Sequence, residues 1–424
     1  MGLLDLFRRK AEPVSVARSL DAASRRMTAP RYSTHRAALA QRGFVQGNAR
    51  QAVANNPILA SAVSAWVTAA VGDEIRGVSQ HPDPDTRSAI NAAFARWSRD
   101  VTTAGRRPFT ATVADMSRAE FVDGESFAIW QGERLQLIPA EQVRADITRE
   151  HIINGIEFAA DGSFTAIHAD PTPDRYGDPI RVPAEDVLHL FRPAGPGAVR
   201  GVSRLAPVLL TAQELDGVTD ALVVQARVAA LLSVILTNES NLGGDDPLED
   251  VGALEPGAIL RVPGGWKVST TAPQQSQQVA PFVGHLTHSI AAGLGVPHWL
   301  VTGQVGEANY SSLRAALVAF RQEIQAFQYL TLVPQVLEPI WRRIITREIL
   351  AGRIASDLSD DALSVEWIFA RQPWGDPKKD AEAVILQIEN GLMSRRQAVA
   401  ELGYDLDALD AEIAADKKEF ANDG

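Results

Sequence analysis

The chain has no cysteine, which excludes disulfides, thiolate nucleophiles and cysteine-ligated zinc and fits a reducing compartment. Lysine is nearly as scarce, at positions 10, 267, 378, 379, 417 and 418 only, so the basic residues are mostly arginine. Acids outnumber bases for a net charge of -11, unlike a surface that grips nucleic acid along its length. Long apolar runs are missing too. The longest stretch free of Asp, Glu, Lys and Arg, residues 268–306, is broken by Pro273, Pro281, Pro297 and five glycines, so no membrane span is expected. At the start, the apolar residues of Met-Gly-Leu-Leu-Asp-Leu-Phe-Arg-Arg-Lys precede the basic ones in a run too short for a secretory signal.

Catalytic words are absent as well. The sequence contains no G-x-S-x-G elbow, no Gly-Lys-Ser/Thr phosphate loop, no H-E-x-x-H and no G-x-G-x-x-G after a strand. Gly293-Leu294-Gly295 runs into Pro297 rather than a helix, and the pairs Asp245-Asp246 and Asp360-Asp361 read as solvated turn residues. His285 and His288 share a helix face at i and i+3 and form half of a metal site, with no carboxylate nearby in sequence. They leave open a metal-dependent hydrolase that recruits an acid from a distant segment.

What is present suggests roughly two to four domains in 424 residues, at about 100 to 200 residues each. Residues 22–72 lack acids and repeat arginine, which reads as a mobile basic arm over residues 1–55 running into a first helix. Asn56-Pro57 caps and opens that helix, Leu59, Val63, Trp66 and Ala70 line one face, and Gly72 stops it. Helices are expected at 84–99 (Ile90, Phe94 and Trp97 inward) and 110–122. The period then changes to short strands at Phe127–Ile129, Leu135–Leu137, Ile153–Phe158, Phe164–His168 and Val187–Phe191, with hairpin turns at Gln131-Gly132 and Asp161-Gly162. This is an α+β pattern. A helix over 204–232, roughly 43 Å at ~1.5 Å per residue, is apolar around most of its girth, with Asp216, Asp220 and Arg227 on one strip; such a helix is covered by neighbours. Strands at 233–238 and 258–262 flank an acidic loop, 239–255, and Pro263-Gly264-Gly265 turns into a hairpin partner at 266–269. A helix over 277–292 precedes a Gly- and Pro-rich loop. From Ser311, Leu313, Leu317, Phe320, Ile324 and Phe327 keep a seam close to the coiled-coil period, which Pro334 should kink or break. A strand near 363–369 and charged helices complete the chain.

Two runs stand out: Ile290-Ala291-Ala292-Gly293-Leu294-Gly295-Val296-Pro297 and Asn309-Tyr310-Ser311-Ser312-Leu313-Arg314. Together they resemble the signature of the lambda-type portal proteins of tailed bacteriophages. In the expected order, Arg200-Gly201-Val202-Ser203 resembles that family's lead-in to its long helix. Trp374 with Asp376-Pro377-Lys378, then Gly391-Leu392-Met393-Ser394, resembles its tail segment.

The resemblance implies a portal fold assembled as a ring, typically of twelve subunits, at one capsid vertex of a virion or a phage-derived gene transfer agent, with assembly in the host cytoplasm. An α+β wing would span 56–203. The stem helices would be 204–232 and 276–295, with a β-rich clip at 233–275 between them, and a channel loop would follow at 296–310. The long kinked helix and return to the wing would occupy 311–373, and the helical crown and tail 374–424. Double-stranded DNA would pass through the ring under a separate terminase large subunit, and the major capsid protein and a head-tail adaptor would be further partners. No cofactor, metal or catalytic residue is implied. His298, Gln304, Glu307 and Asn309, with Asp216 and Asp220, are the expected channel- and DNA-facing residues. Asp245, Asp246, Glu249 and Asp250 are the expected contacts for terminase or adaptor. An acidic ring conducts DNA without holding it, because phosphates are repelled, and a ring covers long apolar helices.

Overall fold

The computed structural model describes residues 34–171, 177–231, 235–238, 266–269, 279–304, 310–370, 377–402, 404 and 406–422. In chain order they form α1 (Thr34–Asn55), α2 (Pro57–Val71), β1 (Ile75–Ser79), α3 (Pro84–Trp97), α4 (Phe109–Asp123), β2 (Glu125–Gln131), β3 (Arg134–Ile138), β4 (Ile152–Ile153), β5 (Ile156–Phe158), β6 (Phe164–Ala169), β7 (Ile180–Pro183) and β8 (Val187–Phe191). There follow α5 (Leu209–Leu231), β9 (Ile235–Asn238), β10 (Trp266–Ser269), α6 (Val279–Leu294), α7 (His298–Thr302), α8 (Tyr310–Phe327), a π-helical segment (Gln328–Leu337), α9 (Glu338–Leu350), α10 (Asp360–Leu363), β11 (Val365–Phe369), α11 (Pro377–Glu389), α12 (Arg395–Glu401) and α13 (Leu406–Asn422). Helices and small sheets are mixed, as an α+β chain requires. One compact unit runs to Leu210 and resumes at Ser289; the other is Thr211–His288.

In the larger unit, local chemistry sets the boundaries. The Asn56 side chain accepts from the Ile58 and Leu59 amides, Pro57 opens α2, and Gly72 closes it at φ 71°. Leu59, Val63, Trp66 and Ala70 are fully buried. Trp66 packs on Phe121 at 4.9 Å and Phe327 at 4.6 Å between centroids, tying α2 to α4 and α8 with tilted and edge-on aromatic geometry. Two antiparallel sheets, ordered β3-β2-β8 and β4-β5-β6-β7, share a core that includes Phe127, Ile138, Val143, Ile156 and Ile167. β1 pairs antiparallel with β11, Ile75 opposite Phe369, so residues nearly 300 apart close one sheet. In the smaller unit β9 pairs antiparallel with β10, Trp266 opposite Asn238.

Several expectations are corrected. The basic arm is helical from Thr34, and two of its arginines, Arg42 and Arg50, pair with acids of the core. The strand expected over 153–158 is a hairpin, since Asn154 (φ 51°) and Gly155 (φ 79°) turn the chain between β4 and β5. β1 and β7 have no counterpart in the periodicity reading. α5 starts at Leu209, about 34 Å long at ~1.5 Å per residue; before it, Ala206 and Val208 donate three residues back, to Ser203 and Leu205. The partner of Trp266–Ser269 is β9; residues 258–262 lie outside the described residues. Part of the loop after Val296 is helical, because Pro297 starts α7 and Gly303 closes it at φ 71°. Finally, Pro334 does not end the long helix. The helix widens into ten π-helical residues and continues as α9, Glu338 bonding back to Val333. A wider turn makes room for a ring that lacks the N–H of an α-helical step.

Candidate functional site

Two buried polar clusters hold the segments on which the sequence motifs fall. The first begins where α4 ends. Gly124 adopts φ 90°, open to glycine at little cost, and sends Glu125 inward at the start of β2, where its side chain is fully buried. Arg200 meets it there, also fully buried. Its Nε donates to both carboxylate oxygens at 2.9 and 2.8 Å and its Nη2 to Oε1 at 2.6 Å. The rest of the guanidinium is used on backbone carbonyls, Nη1 to Asn154 at 2.5 Å and Nη2 to Ala140 at 3.0 Å. Arg42 of α1 and His189 of β8 complete the shell, with the Gly201 amide at 3.1 Å from Oε2. A Cβ on Gly201 would lie 1.8 Å from the Gly124 carbonyl oxygen, so Arg200-Gly201 is read physically as an arginine that reaches an acid only because the next residue has no side chain.

Burial alone would push the Glu125 carboxyl up, but the adjacent Arg200 and Arg42 guanidiniums hold it well below the usual carboxylate range. Arg42 is lowered to about 10, chiefly by desolvation, and burial likewise lowers His189. Nearby, Arg50 donates to Asp123 at 2.7 and 2.9 Å and to Glu141 at 2.6 Å through two nitrogens; those hydrogen bonds raise its pKa. Such forked pairs suit arginine and not lysine.

The second cluster surrounds the Gly-Leu-Gly-Val-Pro motif. At the end of α6 Gly295 takes φ 69°, its amide bonding to Ala292 and that of Val296 to Ala291, a left-handed helix stop. A Cβ on Gly295 would meet the Glu323 carboxylate at 2.5 Å, and one on Gly293 would meet Val208 at 2.4 Å. Both glycines therefore permit close approach. Arg204 binds this stop: Nη2 donates to the Leu294 carbonyl at 3.3 Å and to Glu323 Oε1 at 2.5 Å. Its guanidinium lies 4.9 Å from the Trp66 ring and 4.6 Å from Phe121, a desolvated cation against aromatic faces. Arg192 lies over Trp66 and Phe327 and pairs with buried Glu120 at 2.9 Å. Desolvation raises the Glu120 carboxyl, Arg192 opposing it.

His298 is half-buried in α7, Gln304 is exposed just after it, and Asp216 and Asp220 are exposed on α5. Glu307 and Asn309, and Asp245, Asp246, Glu249 and Asp250, lie outside the described residues. His288 Nδ1 sits 2.7 Å from the Gly284 carbonyl of its own helix. Among the described residues no group of three or more His, Asp or Glu is placed to hold a metal, so the hydrolase alternative gains no support. No described helix is long and apolar enough to cross a membrane.

Sequence reading missed Glu120, Glu125 and Glu323 as partners of Arg192, Arg200 and Arg204. A signal existed for Glu125, an acid between a stop glycine and a segment whose apolar run is Phe127–Trp130. For the other two, helical position alone gives no hint.

The sequence model of the family described as "Phage portal protein, lambda family" matches residues 21–328. No curated protein matches the chain. Solved structures offer distant likenesses. A chain in the neck of an empty GTA particle, computed with C6 symmetry, is 15% identical over 92% of this chain and 99% of its own, with TM-score 0.49. One in the virion of a native gene transfer agent is 17% identical over 92% and 97%, with TM-score 0.46. A crystal structure of an HK97 family phage portal protein from Corynebacterium diphtheriae is 13% identical over 79% and 97%, with TM-score 0.35.

Proposed function

The chain belongs to the lambda family of phage portal proteins, and from that premise we propose that it forms a ring, of twelve copies, at one vertex of a virion or gene transfer agent particle. DNA enters and leaves through the ring, and head-to-tail proteins attach to it. The family match over residues 21–328 carries this reading. The protein's part is structural: it binds no cofactor, and the work of packaging belongs to a separate terminase large subunit. The major capsid protein and an adaptor contact its outside.

In this reading residues 56–203 are the wing, 204–232 and 276–295 the stem, 233–275 the clip, 296–310 the channel loop and 374–424 the crown. The long π-kinked helix in 311–373 returns the chain to the wing. The two buried clusters suit such a part. They fix the root of the first stem helix, through Arg200 and Arg204, and the stop of the second, through Gly295, by charge pairs that water does not screen. Gln304, Glu307, Asn309 and His298 line the channel with Asp216 and Asp220. A lining of this sign keeps a phosphate backbone from sticking during passage. Asp245, Asp246, Glu249 and Asp250 meet terminase or adaptor.

Two-dimensional class averages of the purified protein in negative stain test the proposal. Rings with twelvefold symmetry are expected, and a clean monomer at high concentration overturns it. Serine at the four clip acids should reduce DNA packaging; unchanged packaging removes that contact. Neighbouring genes separate a virus from a gene transfer agent.

A further inference from the structure

The register of β1 with β11 leaves one sheet edge open. Gln80 donates to the Ser364 carbonyl and Ala370 to that of Glu74, both at 3.1 Å. Alternation then makes Arg76 with Ile368 and Val78 with Glu366 the bonded pairs, and turns the N–H and C=O of Val365, Trp367 and Phe369 away from β1. The opposite edge is closed: Thr110 Oγ1 accepts from the outward amide of Ile75 at 3.2 Å and Asn91 Oδ1 from that of Ser79 at 2.8 Å. On the β11 side, among the described residues, only the Trp367 carbonyl has a partner, the Tyr329 hydroxyl at 3.5 Å, at the limit of a bond.

This open edge borders a cavity of about 820 Å³ that is also lined by Arg321, Gln328, Tyr329 and, from α12, Gln397 and Ala400. Natural proteins normally cover such an edge.

We propose that β11 takes a third strand from the leader of a second copy of this chain, residues 13–20. The run Pro-Val-Ser-Val-Ala-Arg-Ser-Leu starts with proline, tolerated as a first strand residue, and then sets Val14 and Val16 on one face. Residues 13–20 carry one arginine, Arg18, and no acid, and the groove lining holds Glu338 and Glu366 against Arg321. A second copy is the donor because α1 leads away from the groove. Thr110, at the start of α4, caps β1, whereas Arg50 and Arg42 anchor α1 at Asp123 and Glu125, past the other end of α4. The proposal rests on the ring reading only in needing copies side by side.

Amide hydrogen exchange of the assembled protein, read by mass spectrometry, tests it. The Val365, Trp367 and Phe369 amides should exchange at least tenfold more slowly than in a variant lacking residues 1–33, while Glu366 and Ile368 stay slow in both, showing an intact sheet. A synthetic peptide of residues 13–20 should restore protection to the truncated variant, and Val16→Pro in the full chain should abolish it. Fast exchange in full-length assemblies overturns the proposal and leaves the ring intact. Equal protection without residues 1–33, or protection that survives dilution to monomers, also overturns it, the first by pointing to another occupant and the second to the chain's own leader. Mass photometry that finds no assembly at any concentration removes the ring reading and the donor together.

Discussion

Replacing Arg200 by alanine should be among the most damaging single changes in the chain. The guanidinium is fully buried and supplies three close contacts to Glu125 and one each to the Asn154 and Ala140 carbonyls. Its loss leaves a buried carboxylate with Arg42 and His189 as its remaining side-chain partners, which costs about 3–5 kcal/mol for a broken buried pair. Two carbonyls lose their donor at roughly 1–3 kcal/mol each unless water enters. Relaxation trims the total, and about 4–6 kcal/mol is expected, a large part of a typical domain's stability of about 5–15 kcal/mol. Urea unfolding followed by tryptophan fluorescence reads it, because Trp66, Trp130, Trp341 and Trp367 are buried in the same unit. Arg200→Lys should recover little, since a point charge cannot fork between a carboxylate and two carbonyls. In a double-mutant cycle, Glu125→Gln with Arg200→Ala should show a coupling of about 1–3 kcal/mol. A loss under 1 kcal/mol for Arg200→Ala, or strictly additive singles, would refute the account of this cluster.

Gly201→Ala should destabilise by about 2–3 kcal/mol, as an overpacked core does, because its Cβ meets backbone at 1.8 Å; thermal unfolding measures it. Gly295→Ala should cost about 1–2 kcal/mol for the left-handed backbone and displace Glu323, so its penalty should shrink in a Glu323→Ala background, read by the same melt. Acid should act with two signs. Glu125 and Glu157 have depressed pKa values, the first through the Arg200 and Arg42 charges and the second, at about 2, mainly through the Arg181 hydrogen bond. Their stabilisation is complete above the unfolded value near ~4.3 and is lost as pH falls towards the folded values. Glu120, raised by burial, works the other way, gaining stability as pH falls below its folded pKa. Glu120→Gln should therefore flatten the upper part of a pH titration of stability and leave the loss near pH 2–4 in place; an unchanged profile contradicts the assignment.

Features whose cause is local were legible in the sequence. Asn56-Pro57, Gly72 and the face of Leu59, Val63, Trp66 and Ala70 follow from capping and period, and the Gln131-Gly132 and Asp161-Gly162 turns from short-range chemistry. The misses share another origin. β1 forms because β11 arrives from nearly 300 residues away, and no window contains both. The local rule for Pro334 allows a kink or a break, and the helix continues around it as a π-helical segment, with Leu332, Val336 and Leu337 on either side fully buried. Of the six expected channel residues, four lie among the described residues, Asp216 and Asp220 in one unit and His298 and Gln304 in the other. The lining proposed for the ring would be made by many copies and would have no signature within one.

The arginine-rich composition takes on a different meaning once the pairs are known. An acidic chain with 41 basic residues still offers many candidate phosphate contacts, and Arg42 and Arg50 lie in the most basic stretch. Both are instead spent on buried or half-buried acids, as are Arg192, Arg200 and Arg204. A cation already matched to a carboxylate in a low-dielectric site gives nothing to DNA, since leaving its partner costs more than a screened phosphate returns. Preference for arginine over lysine follows from that use, because forked and ring-stacked geometry is what these sites demand.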